Sequence, residues 1–584
     1  FLWNHAYPSG SCAVGQCSLL QFRKADATVA SSHTRMRETG KMAADNIFGS
    51  VDSVIMGGKL LTQDDAQPVA EALAIRGRHV LSVGSAAEIE KLIQPDTSVI
   101  DAKGLTVTPG FIDAHAHPLM ANEAAGVNVD YRRITEVQDA IRTKVEQTPP
   151  GEWVFCFMYD DTKFEEGRPL HISDLDHVAP DHPVYVGHRG GHTAVVNSAA
   201  FKLADVTVDT PDPDGGAYYR ENGILTGKVA ERAAFTFRGI GVWPVVTREL
   251  MQEAARLSTL RMASVGLTSS TDAATSPQSF RAYQDALKAG ELNCRISIMP
   301  QGGSLDDTDT PRSLYQIFKA AGILTGYGDD MLRIGGAKYF VDGSASERTM
   351  RMTRPYEGRP DDYGILVTTQ ETIDAAVDDA VANQYRIGFH ANGDEAIDMV
   401  LKAYERVLQD WQGENPRFRI EHCSLVNPDL LQRIADTGAI PAPFYTYAYY
   451  HGEKWAEYGS ERMNWMFAHR SFLDYGIPVA PASDYTPGPY DPMMAIRSMV
   501  TRKDYLGQVW GERQKISVDE AMKICTMHGA YASCEEHIKG SLTPGKLADV
   551  VLLAEDPHDV DPDDILDINI ERTILGGRTV YEAN

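Results

Sequence analysis

The sequence predicts an α/β protein that combines a (β/α)8 TIM barrel, a small β-sandwich domain and one large insertion. Three observations lead to this fold. Short apolar runs alternate with helical stretches along the middle of the chain, which is typical of parallel α/β folds. Both chain ends carry β-branched runs broken by glycine. Polar residues, several of them histidines, follow the central apolar runs, and strand ends are where barrels hold their chemistry.

The β-sandwich domain is predicted from both ends of the chain, over residues 42–108 and 536–584. Strand-like runs lie at 53–61, 70–83, 98–101, 540–553 and 573–581. Short runs of this kind, separated by turns, are typical of a small sheet module. We therefore expect the two ends to build one domain around a central barrel over 109–535.

The first 41 residues differ from the rest of the chain. They are broken by Pro, Gly, Ser and His, they lack a basic region before an apolar core, and Met42 follows them. Such a segment is neither a good signal peptide nor a good fold element. We expect residues 1–41 to be a disordered or non-native leader outside the fold.

The barrel is predicted to begin with the run 107–117. Seven further strands are predicted at 266–272, 294–299, 336–341, 386–390, 418–422, 440–443 and 477–484. Eight strands connected by helices make one complete barrel. The stretch from about 118 to 265 is too long for a single crossover connection, so we expect it to be an insertion after barrel strand 1.

Six polar residues fall at the predicted strand ends: His115, His117, Lys338, His390, His422 and Asp484. His115 and His117 are two residues apart, so on a strand they project to the same side and can share a metal. Singly, each residue has a structural alternative as a core, cap or surface residue. In a barrel they would meet at one mouth, where imidazoles and a carboxylate suit Zn²⁺ or another divalent first-row metal.

These residues lie in six strings, 108–117, 337–344, 388–394, 419–423, 482–484 and 540–549. Together the strings resemble the amidohydrolase superfamily. Their order and form are similar to its YtcJ-like (amidohydrolase 3) branch, which includes N-substituted formamide deformylases. The resemblance runs from about residue 53 to residue 581.

The resemblance implies a binuclear centre of two divalent metal ions, preferably Zn²⁺. His115 and His117 would bind the more buried ion with Asp484, and His390 and His422 would bind the second. Lys338 matches the lysine that becomes an N-carboxylated bridge between the ions.

Two details qualify this centre. A free ammonium at residue 338 would be repelled by two cations, whereas its carbamate supplies an anionic oxygen. Thr271 stands where relatives often carry histidine, which leaves the role of that position open.

The activity implied is hydrolysis of a carbon–nitrogen bond other than a peptide bond, in an amide, N-substituted formamide, or N-acyl or aryl amide. A metal-activated water would attack the carbonyl, and Asp484 would pass its proton to the leaving nitrogen. One alternative is an ester, lactone or other carbonyl substrate on the same site. Another is a non-catalytic assembly protein, which predicts eroded ligands, whereas all six positions are filled.

Further candidates concern the substrate. His192, in a string that also resembles this branch, is a candidate for polarising the carbonyl, although a structural histidine in a Gly-rich turn is the alternative. His188 and Arg189 are weaker candidates. The aromatic stretch 444–455 contains Tyr445, Tyr447 and Trp455, which we predict to form an apolar substrate wall; packing of the barrel rim is the alternative.

Composition bounds the partners and the compartment. Lys and Arg number 55 against 81 Asp and Glu, a net charge of −26, which opposes nucleic acid and anionic membranes as partners. The seven cysteines lack CxxC spacing, which favours reduced thiols in the cytoplasm. We expect a cytoplasmic homo-oligomer, a dimer, that acts on a small molecule with an apolar or aromatic part.

Overall fold

The computed structural model describes residues 50–119, 125–302 and 313–583, so the predicted leader lies outside the described residues. The first elements are β1 (Ser53–Leu61), β2 (Val69–Arg76), β3 (His79–Gly84), α1 (Ala86–Glu90), β4 (Ser98–Asp101) and β5 (Thr106–Pro109). Strand β1 pairs with β4 through its first half and with β5 through its second half. Gly58 permits this change of partner, since a Cβ there would lie 2.8 Å from the carbonyl oxygens of Ala102 and Leu105.

Strand β6 (Phe111–Ala116) follows β5 after one residue, and the insertion comes next. Its elements are β7 (Val127–Asn128), α2 (Ile134–Val145), β8 (Val154–Tyr159), α3 (Ile172–Asp176), β9 (Val184–His188), β10 (Thr193–Val196), α4 (Ser198–Leu203), β11 (Gly216–Glu221), β12 (Ile224–Glu231) and α5 (Arg232–Phe235). The strands form one sheet in the order β11-β12-β10-β9-β8-β7. The predicted insertion therefore carries a sheet of its own.

The central strands are β13 (Leu267–Thr275), β14 (Arg295–Pro300), β15 (Leu332–Ile334), β16 (Ala337–Phe340), β17 (Ile387–Ala391), β18 (Arg419–His422) and β19 (Ile440–Ala442). They form two parallel sheets, ordered β15-β14-β13-β6 and β16-β17-β18-β19. The hydrogen bond from Gly302 N, just after β14, to Lys338 O on β16 (2.8 Å) connects the sheets. The α/β class is confirmed.

The segment 477–484, predicted as the eighth strand, is not a regular strand in the structure. Pro478 and Pro481 lack the N–H groups that a ladder needs. The segment still bonds to both sheets: Ala480 N donates to Pro441 O (2.9 Å), and Asp484 N donates to His115 O (2.8 Å). It therefore joins β19 to β6 and brings residue 484 next to residue 115.

Helices connect the central strands and follow the last of them. They are α6 (Arg248–Ser264), α7 (Pro277–Ala289), α8 (Leu314–Ala320), α9 (Gln370–Ala382), α10 (Asp394–Leu408), α11 (Pro428–Thr437), α12 (Tyr447–Tyr450), α13 (Gly459–Met463), α14 (His469–Asp474), α15 (Pro492–Thr501), α16 (Val518–Lys523) and α17 (Gly529–Ala532). None of the helices in the described ranges has both the length and the apolar character to cross a membrane.

The C-terminal strands are β20 (Val550–Leu553), β21 (Ile570–Leu575) and β22 (Arg578–Glu582). Strand β20 pairs antiparallel with β5, from Val550 opposite Pro109 to Leu553 opposite Thr106. Both chain ends thus share one eight-stranded sheet, ordered β22-β21-β20-β5-β1-β2-β3 with β4 on β1. Its division into two sandwich layers, and the domain boundaries, stay predictions.

The described cysteines are free thiols. Cys156, Cys294, Cys423 and Cys525 are buried, and burial raises the pKa of each of these thiols.

Candidate active site

Strand β6 and the segment after β19 bring three of the predicted metal ligands together. His115 is fully buried near the end of β6, and His117 follows that strand. The Nε2 atoms of His115 and His117 lie 3.3 and 3.2 Å from the same carboxylate oxygen, Asp484 Oδ1. Two imidazoles and a carboxylate therefore meet at one point.

The neighbouring strands add three more predicted residues to this point. Lys338 Nζ lies 3.4 Å from His115 Nε2. The ring centroid of His422 lies 4.6 Å from that of His115 and 4.4 Å from that of His390. Ligand atoms of His115, His422 and Asp484 all lie within 4.8 Å of one another. The structure thus gathers all six residues predicted from the strand ends.

The backbone is strained where two of these side chains leave it. His422 has φ of 72° and Asp484 has φ of 54°, in the left-handed region that costs a non-glycine residue roughly 1–3 kcal/mol. The hydrogen bonds of Cys423 N to Ala391 O (3.1 Å) and of Asp484 N to β6 hold these conformations. Strain of this kind clusters at functional sites.

The protonation states of these groups fit a metal ion. Burial holds the pKa of His390 and of His422 well below the usual range and lowers the pKa of His115, so each imidazole is neutral, which is the form that binds metal. His422 Nδ1 is buried and has no hydrogen-bond partner among the described residues. An orphaned buried acceptor of this kind is costly unless something binds to it.

His390 is placed differently. Its Nε2 atom lies 3.0 Å from Gly343 O, an acceptor, and 3.0 Å from Asn392 Nδ2, a donor, so Nε2 is engaged by protein groups and Nδ1 remains for an ion. The sequence could predict the residue but not which nitrogen would be available.

Glu421 supports His115, and sequence reasoning assigned it no role. Its Oε2 atom contacts His115 Nδ1, and Arg419 binds both carboxylate oxygens, at 2.6 and 2.7 Å. Although burial opposes ionisation, Arg419 and His115 hold the pKa of Glu421 far below its usual range. Because Nδ1 is engaged, Nε2 of His115 faces Asp484. A carboxylate behind a ligating histidine fixes the tautomer in this way.

Asp113 anchors the segment that carries Asp484. It accepts hydrogen bonds from Ser483 Oγ (2.5 Å) and Ser483 N (3.1 Å). Burial raises the pKa of Asp113 to about 7. These bonds replace the regular strand pairing that the prolines of this segment prevent.

Lys338 is buried beside His115. Burial lowers the pKa of Lys338 to about 8, against the opposing effect of Glu421 and Asp484. A substantial fraction of the amine is therefore neutral near pH 8, and the neutral form is the one that reacts as a nucleophile.

His192 reaches the site from the insertion. Its Nδ1 atom lies 2.9 Å from Glu231 Oε2, and its ring centroid lies 4.8 Å from that of His390. Burial disfavours the imidazolium, but the Glu231 carboxylate outweighs this effect and raises the pKa of His192 to about 9. Glu231 itself has φ of 49°, and Thr349 Oγ1 donates to it at 3.0 Å.

The weaker candidates His188 and Arg189 take part in contacts that hold the insertion in place. His188 Nε2 lies 3.4 Å from Asp161 Oδ1, and its Nδ1 lies 3.4 Å from Glu347 Oε2. Arg189 donates to Tyr450 Oη (2.6 Å). Both side chains also border the cavity described next.

A cavity of about 820 Å³ opens in front of these residues. We call the six residues predicted at the strand ends the strand-end group, and four of them line the cavity: His117, His390, His422 and Asp484. Aromatic side chains of the insertion also line it: Phe155, Phe157, Tyr185, Phe235 and Trp243. Its volume lies within the usual range for small-molecule sites.

The structure does not bring the predicted substrate wall to this cavity. Tyr445, Tyr447 and Trp455 are 2%, 1% and 0% exposed, and none of the three is among the residues that line the cavity. They pack into the protein interior, which is the structural alternative raised for this stretch. Tyr447 does touch the site from behind, since its hydroxyl lies 3.4 Å from Asp484 Oδ2.

Comparisons with known proteins agree with this geometry. The chain is 29% identical over 547 residues to an N-substituted formamide deformylase of Arthrobacter pascens, covering 91% of this chain and 98% of that protein. It is 27% identical over 544 residues to the putative amidohydrolase YtcJ of Bacillus subtilis (strain 168), covering 90% and 99%.

A solved structure shares the fold. An uncharacterized metal-dependent hydrolase from Pyrococcus horikoshii OT3 matches with a TM-score of 0.68 and 22% identity, covering 87% of this chain and 99% of that chain. The sequence profile described as "Amidohydrolase family" matches residues 98–581. Since this match spans most of the sequence and both relatives are similar along nearly their whole length, the chain belongs to the amidohydrolase family.

Proposed function

We propose that this protein is a metal-dependent hydrolase that cleaves a carbon–nitrogen bond in an amide, with N-substituted formamides and N-acyl or aryl amides as candidate substrates. The observation that carries the proposal is the meeting of His115, His422 and Asp484 within 4.8 Å, beside Lys338 and at the wall of a cavity. The similarity to a formamide deformylase supports the choice of bond.

The proposal includes the architecture that positions these residues. The two central parallel sheets, joined by the bond from Gly302 to Lys338 and closed by the segment 477–484, form the (β/α)8 barrel, and the sheet shared by the chain ends forms the β-sandwich domain. A barrel explains why residues distant in sequence meet at strand ends.

The centre would hold two divalent ions, preferably Zn²⁺. His115, His117 and Asp484 would hold one, His390 and His422 would hold the other, and Lys338, once N-carboxylated, would supply an anionic oxygen to both. When bound, such ions supply Lewis acidity that activates water and polarises a carbonyl oxygen near neutral pH.

The proton is moved by the chain's own groups. Asp484 Oδ1, between the Nε2 atoms of His115 and His117, takes a proton from the attacking water and gives it to the leaving nitrogen. His192, held through Nδ1 by Glu231, donates from Nε2 to the carbonyl oxygen as negative charge develops there.

The test combines metal analysis with assays. Protein loaded with Zn²⁺ and bicarbonate should contain about two ions per chain and should hydrolyse at least one member of a panel of N-formyl, N-acyl and aryl amides. Esters and lactones belong in the same panel, since their exclusive turnover would replace the amide by another carbonyl substrate. A fully active enzyme that contains at most one ion per chain would contradict the binuclear centre.

A further inference from the structure

The insertion presents a set of aromatic rings to the cavity. Phe155 and Phe157, two residues apart on β8, lie on the same face of the sheet, and Tyr185 on β9 is the register partner of Phe155. The Phe155 ring centroid lies 6.3 Å from that of Phe157 and 6.0 Å from that of Tyr185, at interplanar angles of 15° and 24°. Trp243 lies 6.0 Å from Phe155. We name these four side chains the aromatic platform.

The platform is rigidly supported from behind. The Trp243 ring stacks on Trp153 at 4.6 Å, and Trp153 Nε1 donates to Ile240 O at 2.5 Å. Phe155, Phe157 and Trp243 nevertheless remain only half-buried, and all three border the cavity. Apolar ring faces left in a cavity are stabilised when a ligand covers them.

The cavity is open beside the platform at Gly187. This residue follows Tyr185 on the same face of β9 and lines the cavity. A Cβ at Gly187 would meet its nearest neighbours, Cys156 O and Tyr185 Cε1, at 3.5 Å, an ordinary contact. Backbone crowding therefore does not require glycine here, and any larger side chain would extend into the cavity.

We propose that the platform binds a planar aromatic group of the substrate and so selects amides with an aromatic substituent over amides with a saturated one. The proposal rests on the amide hydrolysis proposed above and names the substrate class. Tyr185 lies on β9, and His192 lies between β9 and β10. One sheet of the insertion therefore supplies both a group beside the reacting bond and the surface for the ring. Stacking requires a flat π face, which a saturated ring of the same size lacks.

The test compares N-(2-naphthylmethyl)formamide with N-(decahydronaphthalen-2-ylmethyl)formamide, its saturated counterpart with the same carbon skeleton, on the zinc-loaded enzyme. Phe155→Leu should lower kcat/KM for the aryl substrate by about five- to tenfold, as expected for lost ring contacts, and for the saturated one by less than about twofold. Phe280→Leu is the matched control, since Phe280 is also half-buried but packs against Phe318 on another part of the chain. It should leave the ratio of the two substrates unchanged.

Gly187→Leu tests the open space. It should reduce kcat/KM for the naphthyl substrate by more than about tenfold, the scale of lost hydrophobic pocket contacts, while N-methylformamide turnover stays within about twofold. Equal losses for aryl and saturated substrates in Phe155→Leu, or for large and small substrates in Gly187→Leu, would overturn the proposal.

A binding measurement separates this proposal from the proposed function. The neutral probes 2-naphthylmethanol and (decahydronaphthalen-2-yl)methanol share one carbon skeleton and one hydroxyl and contain no bond to hydrolyse, so the difference between their affinities in calorimetric titration reports the contribution of the ring faces. The wild type should bind the naphthyl probe at least about fivefold more tightly, and Phe155→Leu should remove that preference. If the preference is present while no amide is cleaved, the proposed function fails and the platform stands; if amides are cleaved without it, the reverse holds.

Discussion

Two clusters in this protein offer similar ligand types but differ in charge. His115, His422 and Asp484 bring ligand atoms within 4.8 Å of one another, and so do Asp160, Asp161 and His188. In the second cluster the carboxylates already have cationic partners. Lys454 Nζ lies 3.0 Å from Asp160 Oδ1, and Arg348 Nη1 donates to Asp161 Oδ1 at 3.3 Å.

Because of this difference in charge, the histidines of the two clusters differ in pKa. Burial disfavours the charged form of His188, but Glu347 and Asp161 outweigh burial and raise its pKa, whereas burial keeps the pKa of His422 well below the usual range. The first cluster thus offers neutral nitrogen ligands and the second a network of paired charges. Ligand type and distance alone do not define a metal site; the charge that the surroundings already supply decides as well.

The largest expected effect comes from Asp484→Asn, which keeps the shape of the side chain but removes the base. General acid–base contributions typically amount to about 10² to 10⁴ in rate, so kcat should fall by that factor, with a smaller change in KM. The variant should fold and retain much of its metal. Steady-state kinetics at matched metal content provide the measurement. A kcat near the wild-type value would mean that another group, such as His192, transfers the proton.

Lys338→Ala should lose most of the bound metal pair, because the carbamate is the one protein ligand proposed to serve both ions. Elemental analysis after dialysis measures the loss. Short-chain carboxylic acids, added as substitutes for the carbamate, should restore part of the activity. Full metal content in this variant would contradict a bridging role for residue 338.

Glu421→Gln should weaken metal binding by about 10- to 100-fold, the usual effect of removing a carboxylate behind a ligating histidine. The amide can no longer stabilise a proton on His115 Nδ1 by its charge, and it leaves Arg419 without its anionic partner. Competition with a zinc chelator gives the affinity. Unchanged affinity would reduce Glu421 to a structural partner of Arg419.

The sequence was sufficient for the strand-end group because strand geometry is local. The i, i+2 spacing of His115 and His117 fixes their common side, and a parallel α/β order brings His390 and His422 to neighbouring strands, which the observed pairing of β17 with β18 confirms. Lys338 was placed at a strand end in the same way, and the family resemblance adds only its role as an N-carboxylated bridge.

The contacts that the sequence did not reveal depend on tertiary structure. Glu421 stands next to His422, but only the packing of β18 against β6 shows that it bonds to His115. The substrate wall was predicted in a contiguous aromatic stretch around Tyr447, which burial places in the interior. Phe155 and Tyr185 lie on separate strands of the insertion, and no local pattern connects them.

Asp161→Asn tests the second cluster and is a matched control for the first. It removes a carboxylate that resembles a metal ligand but is bound by Arg348, so metal content and kcat should stay within about twofold of wild type. The Asp161–Arg348 pair is partly buried, so its loss should cost less than the roughly 3–5 kcal/mol typical of a fully buried pair, and denaturant unfolding should detect it. Loss of metal in this variant would show that the second cluster also binds an ion.

The smallest expected effect is a pH dependence of folding stability that arises from Glu347, which contacts His188 of the second cluster. Burial opposes ionisation of Glu347, but His188, His192 and Thr193 outweigh it and lower the pKa of Glu347 to about 2. Because the folded pKa lies below the ordinary value of about 4.5, the carboxylate contributes stability that is complete above pH 4.5 and is lost as the pH falls toward 2. A shift of this size corresponds to something on the order of 3 kcal/mol.

In the Glu347→Gln variant the side chain cannot titrate, so the free energy of unfolding of the variant should fall less steeply than that of the wild type between about pH 5 and pH 3. Thermal unfolding at a series of pH values, with metal-loaded protein, measures both slopes. Identical slopes would mean that the acid sensitivity arises elsewhere, for example in the carboxylates of the strand-end group.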